Sequence, residues 1–176
     1  MGRIGQALAR RGHFGFGMQV IYHYLSRLKE SLEHETSARY VSKEELLRCA
    51  DHLLLMLPYS PTSHHAIEAA EVALMKPSAT LVNIARGGIV DDAALAAALR
   101  DKRIAAAGLE VFEGESALHP GLLEVPIVVL TPHIGSAIGP TLLAMANLAS
   151  NNLINFFSGD EQTDPVNLEV LDGLVA

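Results

Sequence analysis

The sequence predicts a doubly wound α/β fold: a mostly parallel sheet with helices on both faces and with its first strand missing. Three observations predict it. Short runs of consecutive apolar residues recur along the chain, as expected of strands buried on both faces. Helix signals fall between these runs, and repeated strand–helix order builds a parallel sheet through right-handed crossovers. A glycine-punctuated turn leads into a helix at the very start, where such a fold has already completed one strand.

The elements follow in order. Gln6 to Arg11 (QALARR) reads as a helix. Met18 to Tyr22 (MQVIY) is a short β-rich run, and Ala38 to Val41 is a weaker one. Ser42 opens S-K-E-E, a capping box with Glu45. His52 to Leu57 stops at Pro58. Thr80 to Ile84 stops before Arg86-Gly87-Gly88. Asp91 and Asp92 begin an Ala/Leu-rich helix that runs to about Asp101, with acids at its positive end. Ala105 to Phe112 and Ile127 to Leu130 complete the strands. Pro140 to about Phe157 is a long helix with little charge, expected to be well buried, and Ser158-Gly159-Asp160 is its stop.

Bulk composition limits the function. The 176 residues are 49% hydrophobic but only 5% aromatic, without Trp, so Ala, Leu, Val and Ile fill the core. The net charge of -7 argues against nucleic acid as a partner, since phosphate contacts need clustered Lys and Arg. No long apolar stretch suggests a membrane span or a signal peptide. Cys49 is the single cysteine, so no internal disulfide forms. A soluble cytoplasmic protein is the expectation.

Gly2-Arg3-Ile4-Gly5 fits the last four residues of G-x-G-x-x-G. In that motif the second glycine lets backbone approach a pyrophosphate, and the third lets the helix pack on the sheet. Gly2 and Gly5 take those places. His23 follows Gly5 at about the twenty-residue interval where an acid reads the ribose of NAD. With His23 there and Ser26, Arg27 and Lys29 behind it, the position suits a 2′-phosphate, which a carboxylate would repel. A solvated basic turn is the equal alternative.

Three later segments carry chemistry. Val82-Asn83-Ile84-Ala85-Arg86-Gly87-Gly88, Gly108-Leu109-Glu110-Val111-Phe112-Glu113-Gly114-Glu115 and Thr131-Pro132-His133-Ile134-Gly135-Ser136-Ala137 resemble, in order, three signatures of the D-2-hydroxyacid dehydrogenases. With GRIGQALARR and LMKPSATLVN, the resemblance runs from Met1 to about Asn167 and is nearest to glyoxylate, hydroxypyruvate and 2-ketogluconate reductases. It implies a Rossmann-like cofactor domain over residues 1–165 and a tail, 166–176, returning to a substrate domain. It also implies NAD or NADP as cofactor, NADP slightly favoured, a small 2-keto or 2-hydroxy acid as substrate, and a homodimer in the complete parent.

The resemblance implies roles as well. Arg86 grips the substrate carboxylate with a bidentate guanidinium. His133 donates the proton to the carbonyl oxygen and takes it back in the reverse direction. Glu115 orients the imidazole and stabilises its charged form. Arg3 and Ile4 touch the pyrophosphate; Pro58 and Ser63 lie near the adenosine; Ile84, Ala85, Glu110 and Gly135 approach the nicotinamide. Two departures stand out: Glu110 replaces the family's usual Asp, and Ser116 its usual Pro, which removes a fixed φ beside Glu115. The chain alone is expected to bind dinucleotide poorly and to be inactive. A dinucleotide-sensing binding module and a non-functional remnant are the rival readings.

No metal site is expected. His64 and His65 are read as neighbours on a helix, pointing apart, with no carboxylate or thiol set beside them. Cys49 is expected to be packed.

Overall fold

A computed structural model describes residues 1–115 and 118–159. The chain divides into two compact units, Met1–Pro132 and His133–Ala176.

The first unit opens with helix α1 (Arg3–Arg10), extended by a π-helical turn (Arg11–Gly15). Strand β1 (Val20–Tyr22), helix α2 (Glu30–Thr36) and strand β2 (Ala38–Tyr40) follow, with β1 and β2 paired in parallel. Helix α3 (Lys43–Cys49) starts at Ser42, whose hydroxyl accepts the Glu45 N–H, so one half of the expected capping box forms, while the Glu45 carboxylate pairs with Arg39. Next come β3 (His52–Leu55), α4 (Ala69–Leu74), β4 (Thr80–Asn83), α5 (Asp92–Arg100), β5 (Ala106–Leu109), α6 (Pro120–Leu123) and β6 (Val128–Leu130). Strands β3 to β6 form a parallel sheet in chain order. The α/β class read from the sequence is the fold observed.

The strands are shorter than their apolar runs. Leu55 pairs with Asn83, Asn83 with Leu109 and Leu109 with Leu130. The ladder therefore ends at one level, and the apolar residues beyond it, such as Val111 and Phe112, leave the sheet.

The six strands of the described residues fall into two sheets, β1–β2 and β3–β4–β5–β6. Among the described residues no strand pairs with both β1 and β3. In the strand order 3-2-1-4-5-6, that gap is the place of the first strand. The main apolar core lies on the larger sheet. Leu81, Ile89, Leu95, Leu99, Ile104 and Leu122 are fully buried in one cluster, which contains no residue N-terminal to Leu46.

The second unit carries α7 (Gly139–Ser158), with Gly159 closing it in the left-handed conformation at φ 70°. The helix matches its expected span, but not its expected burial: none of its residues is buried, and Leu143, Met145, Leu153, Ile154 and Phe157 are all exposed. Low charge reports that a helix has apolar surface to cover, not what covers it. Asp160 and the expected tail Val166–Ala176 lie outside the described residues. Cys49, expected to be packed, is exposed at the end of α3, because the inward position of that turn is taken by Leu47.

Candidate active site

The carboxyl end of β4 shapes the first part of the site. Asn83 is buried, and its amide grips the following turn at both ends. Its Oδ1 accepts the Ala85 N–H at 3.1 Å, and its Nδ2 donates to the Arg86 carbonyl at 3.1 Å. The next residue must be glycine: a Cβ at Gly87 would sit 1.7 Å from the Phe112 carbonyl oxygen. Gly88 then turns at φ 74°. This folding buries Ala85 and leaves Ile84 and Arg86 exposed. Arg86 donates through Nη1 to the Ala85 carbonyl at 2.6 Å.

The end of β5 supplies the second part. The Glu110 N–H donates to the Asn83 carbonyl, and the Glu110 carboxylate accepts the Thr131 hydroxyl at 2.7 Å. Past Phe112 the chain is tied down at Glu113. Its N–H donates to Asp92 Oδ2 at 3.0 Å, and its Oε1 lies 2.8 Å from His65 Nε2. Burial pushes the Asp92 carboxyl above its ordinary range. Gly114 turns at φ 73°, and Glu115 follows, exposed.

Helix α1 supplies the third part. Gly2 is its N-cap, and a Cβ there would meet nothing within 4 Å, so the space before the helix N-terminus is open. Gly5 is buried, and a Cβ there would strike the Met1 side chain at 2.7 Å. Arg3 and Ile4 are both exposed on the first turn. A side-chain-free backbone and a positive helix end suit a pyrophosphate, so these residues fit a dinucleotide.

A cleft of ≈ 770 Å³ joins the three parts. From the residues singled out in the sequence, Ile4, Pro58, Ile84, Ala85, Arg86 and Glu115 line it. Gly2, Arg3, Gly5, His23, Ser26, Arg27, Ser63 and Glu110 do not. Tyr59, His64 and Glu113 also line it, though the sequence reading gave them no part.

The expected ribose-reading residues sit just beyond β1. His23 Nδ1 lies 3.0 Å from the Val41 carbonyl, and its ring lies against Tyr40. Arg27 is engaged by Glu33, through Nε at 2.9 Å and Nη2 at 2.6 Å. That guanidinium, with the Tyr22 hydroxyl, holds the Glu33 carboxyl down at about 2. Ser26 is exposed on the bend between them. Ser63 is buried and holds a turn, donating to the Pro58 carbonyl at 2.9 Å and accepting the Ser60 N–H at 2.7 Å.

His133 and Gly135 belong to the second unit, where both are exposed. His133 adopts φ 52°, a left-handed conformation unusual outside glycine.

The reading of His64 and His65 needs correction. They lie in a turn, not on a helix, and their rings stack with centroids 3.9 Å apart. A carboxylate does accompany them, that of Glu113. It comes from a distant segment, across a fold contact that local spacing does not encode.

Comparison with known proteins places the chain. The family model described as D-isomer specific 2-hydroxyacid dehydrogenase, NAD binding domain, matches residues 1–135. The chain is 46% identical over 171 residues to a glyoxylate reductase of Thermococcus onnurineus, covering 97% of this chain and 51% of the relative. It is likewise 46% identical to a glyoxylate/hydroxypyruvate reductase B of Enterobacter agglomerans, with 97% and 53% covered. Among solved structures, the NADPH-dependent glyoxylate/hydroxypyruvate reductase of Sinorhizobium meliloti, in complex with NADP and malonate, matches with a TM-score of 0.82 and 37% identity. The match covers 89% of this chain and 48% of that one. Apo D-mandelate dehydrogenase of Rhodotorula graminis matches with a TM-score of 0.86 and 34% identity, over 95% and 49%. The chain thus spans about half the length of the relatives it matches. No described helix is long and apolar enough to cross a membrane. The match from the first glycine turn to Gly135, with these identities, makes the chain a member of the D-isomer-specific 2-hydroxyacid dehydrogenase family, carrying its NAD-binding domain.

Proposed function

We propose that the chain is the cofactor half of a cytoplasmic, dimeric enzyme that reduces small 2-keto acids of the glyoxylate and hydroxypyruvate type. The observation that carries this reading is the cleft lined together by Arg86, Glu115 and Ile4 of the first turn of α1. A 2-keto acid needs a cation at its carboxylate and a proton at its carbonyl oxygen. When bound, the dinucleotide supplies the hydride to the carbonyl carbon.

In this mechanism Arg86 holds the carboxylate and polarises the carbonyl. The buried Asn83 amide and the obligatory glycine at 87 fix the turn that presents it. His133 delivers the proton, and Glu115 stabilises the imidazolium. The open N-terminus of α1 takes the pyrophosphate through Gly2, Arg3 and Ile4, with Gly5 letting the helix pack. Ile84, Ala85, Glu110 and Gly135 form the nicotinamide end, while Pro58 and Ser63 form the adenosine side. NADPH is favoured over NADH because no carboxylate stands at His23. His23 and Ser26 are the 2′-phosphate contacts, with Arg27 joining only if it leaves Glu33. The mature substrate pocket also needs the substrate domain to which the tail 166–176 returns, so the chain of 1–165 plus tail is inactive alone.

The test is a chimera in which this chain follows the N-terminal half of the Thermococcus onnurineus reductase. Glyoxylate-dependent oxidation of NADPH is expected. Arg86→Gln or His133→Asn should each lower kcat/KM by about a hundredfold or more. A folded chimera that binds NADPH without turnover would instead establish the dinucleotide-sensing module. A preference for NADH of about tenfold, roughly 1.4 kcal/mol, would overturn the cofactor assignment alone.

A further inference from the structure

We infer that His64, His65 and Glu113 form a binding site for a zinc-class divalent ion at the rim of the cleft. One ring nitrogen from each histidine and one carboxylate oxygen of Glu113 all lie within 4.8 Å of one another. Zinc bound to nitrogen and oxygen at about 2.0–2.2 Å sets its ligand atoms roughly 3.3 Å apart. Reaching that spacing requires the stacked rings of His64 and His65 to swing apart until both in-plane nitrogen lone pairs face one ion. His65 Nε2 and Glu113 Oε1, now 2.8 Å apart, must open slightly to admit the ion between them.

Three features argue for a chelate rather than a chance meeting. The first is the backbone. Consecutive side chains point to opposite faces of a strand and about 100° apart on a helix, so adjacent imidazoles rarely share a ligand. Here His65 takes φ 48°, an uncommon conformation for a residue with a Cβ, which brings its ring beside that of His64, with centroids 3.9 Å apart. The second is anchoring. Glu113 is fixed through its own N–H to Asp92 Oδ2, and the His65 N–H donates to the Gly88 carbonyl at 2.8 Å. Both donors thus stand on backbone already held in place. The third is chemistry. Two imidazoles and one carboxylate are a three-ligand set that leaves a coordination position open, and imidazole nitrogen selects zinc-class ions over magnesium or calcium. His64 and Glu113 both line the cleft, where the Tyr59 hydroxyl lies 3.2 Å from His64 Nδ1.

An ion held there locks the carboxylate of Glu113, two residues before Glu115, and adds positive charge on the wall that carries Arg86. It acts on the same loop that Asp92 holds from below.

The test uses the full 176-residue chain, stripped of metal and titrated with Zn²⁺ against a chromogenic chelator, with Mg²⁺ as control. One zinc per chain is expected to bind with a Kd tighter than about 100 µM. His64→Gln and Glu113→Gln, both at exposed or half-exposed positions where folding is checked by circular dichroism, should each weaken it at least about tenfold. His34→Gln, on the remote helix α2, should leave it unchanged. Co²⁺ in place of zinc should give a visible d–d spectrum that both site variants abolish. His65→Gln is not relied on, since that residue also shapes the turn. Absence of binding at about 100 µM zinc, or binding that both site variants leave intact, overturns the inference.

Discussion

The two sheets of the first unit are held together by different physics. The β3–β6 sheet rests on an aliphatic cluster in which Leu81, Leu95, Ile104 and Leu122 are wholly excluded from solvent. The β1–β2 pair contributes nothing to that cluster. It depends instead on a polar knot: Tyr22 donates to Glu33, receives the Leu28 N–H, and meets Tyr40 edge to face, while Arg27 clamps Glu33. Tyr40 donates in turn to the Tyr24 carbonyl. Dispersion and desolvation dominate the first region, whereas a buried carboxylate among hydroxyl and guanidinium donors is central to the second.

The largest effect should come from breaking the aliphatic side. Leu95→Ala leaves a cavity in the fully buried cluster and should cost about 2–5 kcal/mol, read as a lower denaturant midpoint for the whole β3–β6 region. Next is Tyr22→Phe, which removes one hydroxyl and strands the Leu28 N–H. A loss of about 1–3 kcal/mol is expected, confined by hydrogen exchange to residues 20–41. If exchange rises equally in β4 and β5, the two regions are not independent. Ser42→Ala should cost about 1 kcal/mol through the α3 cap, and should leave the tyrosine signal of the β1–β2 region unaltered. The mildest perturbation is acid. Glu33 is held at about 2 against an ordinary 4.5, chiefly by its hydrogen bond from Arg27 and then by that from Tyr22. Its ionised pairing therefore stabilises the fold fully above about pH 4.5 and is lost as the pH falls through about 2. Tyrosine fluorescence, with no Trp to mask Tyr22, Tyr24 and Tyr40, should change across that window before far-UV ellipticity does. Glu33→Gln should remove the early change.

The same contrast explains what could be read beforehand. The sheet of β3 to β6 was visible as apolar runs, and Ser42 and Asp91 both cap helices as their side chains suggest. Helix α2 (ESLEHET) was not visible, because its inward residues, Glu33 and Thr36, are polar and satisfied by partners that hydropathy ignores. Helix α4 starts at Glu68, an uncommon cap that works only with Glu71 reaching back to its N–H. At the site, the turn after β4 could be read from Arg86-Gly87-Gly88, since an arginine beside two glycines is a local pattern. The companionship of His65 and Glu113 could not, because it joins residues 48 apart through a left-handed backbone that no composition rule anticipates.

The gap in the hydrogen-bonded ladder between β1 and β3 has a calorimetric consequence. The principal packings of α1 and α2 fall among α1, α2, β2 and the π-helical turn, and those of α3 to α6 among these four helices themselves. With no strand among the described residues shared by the two sheets, melting of one region removes little enthalpy from the other. The heat absorbed on unfolding should then exceed the van't Hoff enthalpy drawn from the steepness of any single optical transition, the mark of more than one cooperative block. An extended apolar peptide that filled the gap would pair with both edges at once, and the two enthalpies would converge.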